Sequence, residues 1–261
     1  MIGPMRIAMG VEYDGSGFAG WQSQSGERTV QDVVEAAISR VADHPVRTRC
    51  AGRTDSGVHA LGQVVHFDSD APRSVRSWLL GSNRFLPGDA AIRWVSPVDE
   101  AFHARFSARR RYYRYVVFNH TARAALHRRR VCWHHRPLDV ARMAEAARYL
   151  VGEHDFSSYR ALACQAKSPV RMVYRLDVAR HGDYVYLDIE ANAFLHHMVR
   201  NIAGVLLTIG GGERPAAWAD EVLRYRDRTL GGVTAPPQGL YLVAVTYEET
   251  FRFPLAAPPA F

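Results

Sequence analysis

Ala51-Gly52-Arg53-Thr54-Asp55-Ser56-Gly57-Val58-His59-Ala60 lies between two runs that read as short strands, Val46–Cys50 and Gln63–Phe67. An Asp between glycines in a loop is commonly a turn residue. Loops on a rigid scaffold also carry chemistry, and here the flanking glycines allow a polynucleotide backbone to approach Asp55, with Arg53 beside it. Upstream, Met5, Ile7, Met9, Val11 and Tyr13 alternate with less apolar residues, as in a half-buried strand. Thr29 then caps a helix with Asp32 as its capping-box partner, and Val30, Val33, Val34, Ala37, Ile38 and Val41 form its apolar face. Downstream, helices are expected over Arg73–Gly81, Leu138–Val151 and Leu195–Ile209, the last ended by Gly210 to Gly212. Strands are expected over Ala91–Val95, Arg111–Phe118, Val170–Val178, Val185–Ile189 and Leu240–Tyr247. His181-Gly182-Asp183 makes a hairpin of the third and fourth of these strands. Helices mixed with hairpins define an α+β class with a mostly antiparallel sheet. No close repeat is visible, and the boundary between two halves falls near Ala108, giving 1–108 and 109–261. The Pro- and Ala-rich end, 254–261, reads as a loose tail.

Charge is placed unevenly along this frame. The chain has 33 basic and 26 acidic residues, a net +7, and every basic residue except Lys167 is Arg. Residues 101–136 hold ten Arg and no Asp or Glu, so the remainder sums to 23 − 26 = −3. One basic segment on a mildly acidic protein points to a polyanion-binding surface. Within it, Arg109-Arg110-Arg111-Tyr112-Tyr113-Arg114-Tyr115 interleaves cations with flat rings, which suits phosphates and bases, and Arg128-Arg129-Arg130 extends it in a loop. On a strand, Arg111, Tyr113 and Tyr115 share one face, and Tyr112 and Arg114 the other. A solvated edge strand is the plainer alternative.

Other signals are weaker. A composition that is 48% hydrophobic argues against disorder. The longest apolar run, 201–212, is too short to span a membrane, and residues 1–13 lack a signal-peptide pattern. Cys50, Cys132 and Cys164 are widely spaced, as in a reduced, cytoplasmic protein without a cysteine zinc site. Gly15-Ser16-Gly17-Phe18-Ala19-Gly20 matches a dinucleotide-binding pattern after a strand, but turn residues follow where a helix must open. His196-His197 is a poor metal pair, because adjacent helical residues point about 100° apart.

Several blocks, in order over nearly the whole chain, resemble the tRNA pseudouridine synthase A family. They are the Asp55 loop, Tyr13-Asp14-Gly15 through Gly20-Trp21-Gln22, Phe102 through Ala108, Tyr113-Arg114-Tyr115, Ala191 through Asn201, and Gly239 through Val243. The resemblance departs at Tyr112, where Arg is common, at Gly231-Gly232, where Ala is usual, and at Phe18-Ala19, which lacks an aromatic pair often found there.

The resemblance implies the pseudouridine synthase fold, two related ferredoxin-like α+β halves with a catalytic cleft between them. It implies isomerisation of uridine to pseudouridine in the anticodon stem-loop of tRNAs, at positions 38, 39 and 40, without cofactor or metal. Asp55 would be the essential carboxylate, a nucleophile at an electrophilic sugar carbon or a base. Arg53 would help extrude the target nucleotide, Tyr113 would stack on its uracil, Arg200 would pair with Asp55, and Leu240 would line the uracil pocket. Arg109, Arg110, Arg111, Arg114, Arg128, Arg129 and Arg130 would hold phosphates. The family also implies a homodimer acting on tRNA. Two other readings remain: a non-catalytic RNA-binding module resting on the basic segment, and a nucleotide-dependent oxidoreductase resting on Gly15 to Gly20.

Overall fold

A computed structural model describes residues 5–261. Along the chain the elements are β1 (Met5–Tyr13), α1 (Val30–Ala42), β2 (Arg49–Cys50), β3 (His59–Ser69), α2 (Val75–Phe85), β4 (Ala90–Val98), β5 (Arg110–Asn119), β6 (Cys132–His134), α3 (Val140–Arg148), β7 (Gly152–Asp155), β8 (Val170–His181), β9 (Tyr184–Ala191), α4 (Met198–Gly210), α5 (Trp218–Tyr225) and β10 (Leu240–Thr246). Contacts divide them into two units, residues 1–109 with 241–258 and residues 110–240 with 259–261. This differs from the expected contiguous split in the last strand, which pairs in parallel with β3 through Tyr241↔His59 and Leu242↔Ala60. Such a pairing joins residues about 180 positions apart, beyond the reach of local periodicity.

In the first unit the strand order is β4-β1-β3-β10, with β2 also on β3. β1 pairs antiparallel with both β3 and β4. Its central residues Ile7 to Val11 are buried on both faces, which the alternating pattern alone did not require. Thr29 caps α1 as expected, its Oγ accepting the Asp32 amide. β2 is shorter than the expected Val46–Cys50 because α1 satisfies that backbone instead. Ser39 Oγ accepts the Val46 amide at 2.9 Å and the buried Glu35 carboxylate accepts the Thr48 amide at 2.8 Å. Ser74 caps α2, so that helix begins two residues after Arg73 and continues past Gly81 to Phe85.

In the second unit the order is β5-β9-β8-β7, with β6 parallel to β5. The β8–β9 hairpin forms as expected, with Gly182 at φ 55° in its turn. A bulge between Val173 and Arg175 alters the expected alternation in β8. It carries the next residues to the opposite face. Val173 and Leu176 are consequently buried, while Val170 and Tyr174 are exposed. α4 contributes Ile202, Val205, Leu206 and Ile209 to the core. Burying each such side chain stabilises the fold by roughly 1.5–3 kcal/mol. β6, β7 and α5 are too short to carry a periodic signal, and the sequence reading did not include them.

The tail is docked rather than loose. Tyr186 Oη accepts the Phe261 amide at 3.0 Å, the Phe261 ring packs 4.8 Å from that of His127, and Arg114 donates to Pro259 O at 3.0 Å. The aromatic and cationic residues of β5 and β9 supply these contacts, which polarity alone did not reveal. Among the described residues no helix is long and apolar enough to cross a membrane. The signal-peptide expectation falls partly on residues 1–4, which lie outside the described residues.

Candidate active site

In the first unit, Asp55 sits half-buried on the loop between β2 and β3, and the backbone of the loop after β1 holds that loop in place. Trp21 N–H donates to Thr54 O at 3.0 Å and Gly57 N–H to Phe18 O at 3.4 Å, while Val58 N–H closes a turn on Asp55 O at 3.1 Å. Side chains add to this. Ser56 Oγ donates to Phe18 O at 3.2 Å, Thr54 and Tyr13 hydroxyls share a hydrogen bond at 2.8 Å, and Gln63 Nε2 donates to Gly52 O at 2.6 Å. Two glycines permit the approach. A Cβ on Gly15 would stand 2.0 Å from Val58 O, and one on Gly20, whose φ is +95°, would stand 2.8 Å from Thr54 O. Arg53, on the same loop as Asp55, is exposed.

The glycine-rich stretch thus serves the Asp55 loop. Gly15–Gly17 is a short 3-10 turn capped by Asp14, and α1 opens only at Val30. Arg28 secures the stretch, donating to Gly17 O at 3.1 Å, pairing with Asp89 at 2.8 Å and lying 4.0 Å over the Phe18 ring. The helix that a dinucleotide pyrophosphate needs is absent at Gly15–Gly20, as the turn reading expected.

His59 and Asp14 join the two loops, although sequence reasoning assigned neither a role. His59 is buried and stacks on Tyr241 with centroids 4.7 Å apart. Its Nδ1 lies 3.1 Å from Gly15 N and 3.2 Å from Asp14 Oδ1. Unprotonated, that nitrogen accepts from Gly15; protonated, it donates to Asp14. The His59 hydrogen bond holds the Asp14 carboxyl well below the usual carboxylate range; burial opposes this, and the Ser16 hydroxyl and amide reinforce it. A depressed native pKa contributes stability that is complete above the unfolded value of about 4 and is lost as pH falls below it. Acid unfolding of Asp14→Asn should therefore show a shallower loss of stability below about pH 4 than wild type. Parallel acid limbs for the two proteins would exclude this role of Asp14. The Cys50 thiol, close by in sequence, is pushed up to about 11 by burial, against the opposing field of Arg53 and Arg105, and is a poor nucleophile at neutral pH.

In the second unit, Tyr113 lies on the inward face of β5, opposite Ile189, its ring edge-on to Phe194 at 5.0 Å. Arg111 shares that face and donates to Asn192 O at 2.7 Å. Arg200, in the first turn of α4, donates through Nε to Ala235 O at 2.8 Å. His197 caps that helix at φ 62°, and its ring lies 4.1 Å from His196. Leu240, at the start of β10, is buried.

Within the basic segment, Arg109 pairs with Glu248, Arg110 with Glu190, Arg114 with Asp188 and Arg136 with Glu213, all carboxylates from elsewhere in the chain. Its local field is accordingly weaker than +10. Arg128, Arg129 and Arg130 lie on an exposed turn at 126–130, away from the strand. Tyr112 donates to Asp188 Oδ1 at 2.5 Å beside Arg114. Burial and the adjacent Asp188 push its phenol up to about 12. Gly231-Gly232 also has a local reason. An added Cβ would stand 2.9 Å from Ser158 O at the first and 2.9 Å from Val205 Cγ2 at the second.

The first unit thus presents a carboxylate on a backbone-pinned loop, with no helix opening at the glycine pattern. The family model described as tRNA pseudouridine synthase matches residues 9–107 and 146–248. The chain belongs to that family and is an isomerase with the pseudouridine synthase fold. It is 62% identical over 247 residues to tRNA pseudouridine synthase A of Methylococcus capsulatus, covering 95% of this chain and 91% of that protein. It is 59% identical over 250 residues to the enzyme of the same name from Alcanivorax borkumensis, covering 95% and 94%. The Nitrosococcus oceani enzyme of that name is 60% identical over 255 residues, covering 98% of each.

Proposed function

We propose that the protein converts uridine to pseudouridine in the anticodon stem-loop of tRNAs, at positions 38, 39 and 40, with Asp55 as the essential nucleophile. The observation that carries this reading is the pinning of the Asp55 loop, through its own backbone, on the Gly15–Gly20 segment. That arrangement holds a carboxylate in place without depending on its side chain, as a group that must react and be regenerated requires. In the reaction the N1–C1′ bond breaks, the uracil turns, a C5–C1′ bond forms, the proton at C5 leaves, N1 takes up a proton from solvent and the Asp55 carboxylate is regenerated. Electrons and atoms balance within the nucleotide and solvent, so the proposal includes no redox cofactor and no metal.

The accompanying roles follow the family resemblance. Arg53 aids extrusion of the nucleotide, Tyr113 stacks on the uracil, Arg200 compensates the charge of the catalytic carboxylate, and Leu240 gives the pocket an apolar wall. Arg109, Arg110, Arg111, Arg114, Arg128, Arg129 and Arg130 form the phosphate-holding set. Their recognition of backbone and shape gives affinity without base reading, which suits an enzyme acting on three neighbouring positions. A homodimer acting in the cytoplasm completes the proposal.

The test is tritium release. Purified protein and an unmodified tRNA transcript labelled at uridine C5 should release tritium with no additive, and mapping should place pseudouridine at 38, 39 or 40. Absence of release from every transcript with uridine there would leave a non-catalytic RNA-binding module as the reading.

A further inference from the structure

The turn after Phe102 holds a large apolar ring out to solvent. Phe106 is 76% exposed, yet its setting is ordered. The His103 ring lies against it, with centroids 4.3 Å apart and planes at 30°. His103 Nδ1 accepts the amides of Arg105 at 3.1 Å and Phe106 at 3.3 Å. Ser107 closes the turn, its amide donating to His103 O at 2.9 Å and its Oγ accepting the His103 amide at 3.0 Å. Beneath, the Ala104 amide donates to His66 Nδ1 at 3.1 Å and Tyr247 Oη donates to Ala104 O at 2.8 Å. Both imidazoles use Nδ1 as an acceptor, which keeps that nitrogen unprotonated. Burial, with the charge of His103 and Arg6, pushes His66 down to about 4, and burial with Arg6 and Arg49 lowers His103. The ring is thus displayed in one orientation before any partner arrives, which reduces the ordering cost of binding.

The surroundings are cationic. The Arg105 guanidinium lies 5.7 Å from the Phe106 centroid. Arg49, exposed on β2, acts on His103, and Arg53 acts with Arg105 on Cys50. Arg6 is bound to Asp68 at 2.7 Å. Asp55 lies six positions beyond Arg49, so the chain keeps them within about 20 Å. A fixed, flat ring among guanidinium groups suits single-stranded nucleic acid, whose bases stack while its phosphates meet cations. A purely apolar protein partner would desolvate those cations and offer them no compensating charge.

We propose that Phe106, backed by His103 and flanked by Arg105 and Arg49, is a stacking platform for an unpaired base of the RNA substrate other than the uridine that reacts. The inference rests on the function proposed above in taking RNA as the substrate.

The experiment compares full-length wild type with Phe106→Trp, Phe106→Leu and Phe106→Ala, using the labelled tRNA transcript. The exposed position should leave unfolding midpoints unchanged. KM should rise about 5- to 150-fold in the Leu and Ala variants. Turnover at saturating RNA should change much less, as for a contact made equally in ground and transition states. Phe106→Trp should keep the wild-type KM, and the fluorescence of its added indole should fall as transcript is titrated. Leu keeps the apolar bulk and loses the aromatic face, so a wild-type KM in Phe106→Leu overturns the proposal. So does a change in sedimentation of Phe106→Ala with KM unchanged, which would assign the ring to contact between copies of the chain. If wild type itself releases no tritium, the proposed function fails. The stacking contact is then read separately, by equilibrium binding of the transcript to the same variants, and equal affinities would overturn it.

Discussion

Asp55→Asn is expected to lower tritium release by roughly 10³-fold or more while leaving the fold and the affinity for tRNA nearly unchanged. The size follows from chemistry. A carboxamide of the same shape is neither a useful nucleophile nor a base at neutral pH, and loss of the group that forms the intermediate is among the costliest changes an enzyme can suffer. The selectivity follows from structure. The loop is held by Trp21 N to Thr54 O, Gly57 N to Phe18 O and Val58 N to Asp55 O, all through backbone atoms that the substitution leaves in place. The thermal midpoint and the dissociation constant for a transcript should therefore match wild type. Release within 10-fold of wild type would remove Asp55 from the chemistry. A matching loss of affinity would instead make it a binding residue.

Gly15→Ala is expected to damage both stability and turnover, although Gly15 takes no part in the reaction. The added methyl would lie 2.0 Å from the Val58 carbonyl oxygen and 2.5 Å from its carbon, both backbone atoms that cannot rotate aside. Either β1 and its loop or the segment carrying Asp55 must move. Gly15 also donates its amide to His59 at 3.1 Å, so displacement costs that contact too. Overpacking of this kind costs typically about 1–3 kcal/mol. Because the Val58 amide closes on Asp55 O, the strain falls on the candidate catalytic group, and turnover should fall further than the loss of folded protein explains. Gly88→Ala is the control, since nothing lies within 4 Å of its added methyl. Its stability should stay within about 0.5 kcal/mol of wild type. Urea unfolding and initial rates on the same preparations check both, and equal behaviour of the two variants would show that the loop contact is not tight.

Legibility in the sequence followed the range of the interaction. The Thr29 cap, the β8–β9 turn at Gly182 and most of the apolar face of α1 are set by residues a few positions apart and formed as read, although Val33 is only half-buried and Glu35 is buried in its stead. The Asp55 loop was legible because its residues are consecutive. Its support was not, because the residues at Phe18, Gly20 and Trp21 reach it across some 35 positions of chain. The inward and outward faces of β5 were also legible, since a strand alternates by geometry. The pairing of its outward cations with Asp188 and Glu190 was not, because those acids lie on β9. A sequence shows a run of charge; partners brought in by the fold set how much of that field remains.

Periodicity, caps and consecutive motifs are local properties, so the order of residues alone carries the α+β class, helices α1 to α4, the principal strands and the residues that tie the chain to the pseudouridine synthases. Folding is what sets the last strand against β3, introduces the bulge that alters the faces of β8, brings the glycine pattern to the Asp55 loop, and seats the turn of Phe106 on His66 and Tyr247. Each of those depends on backbone hydrogen bonds or side-chain contacts between residues distant in sequence, and such pairings acquire definite geometry only when the chain is folded.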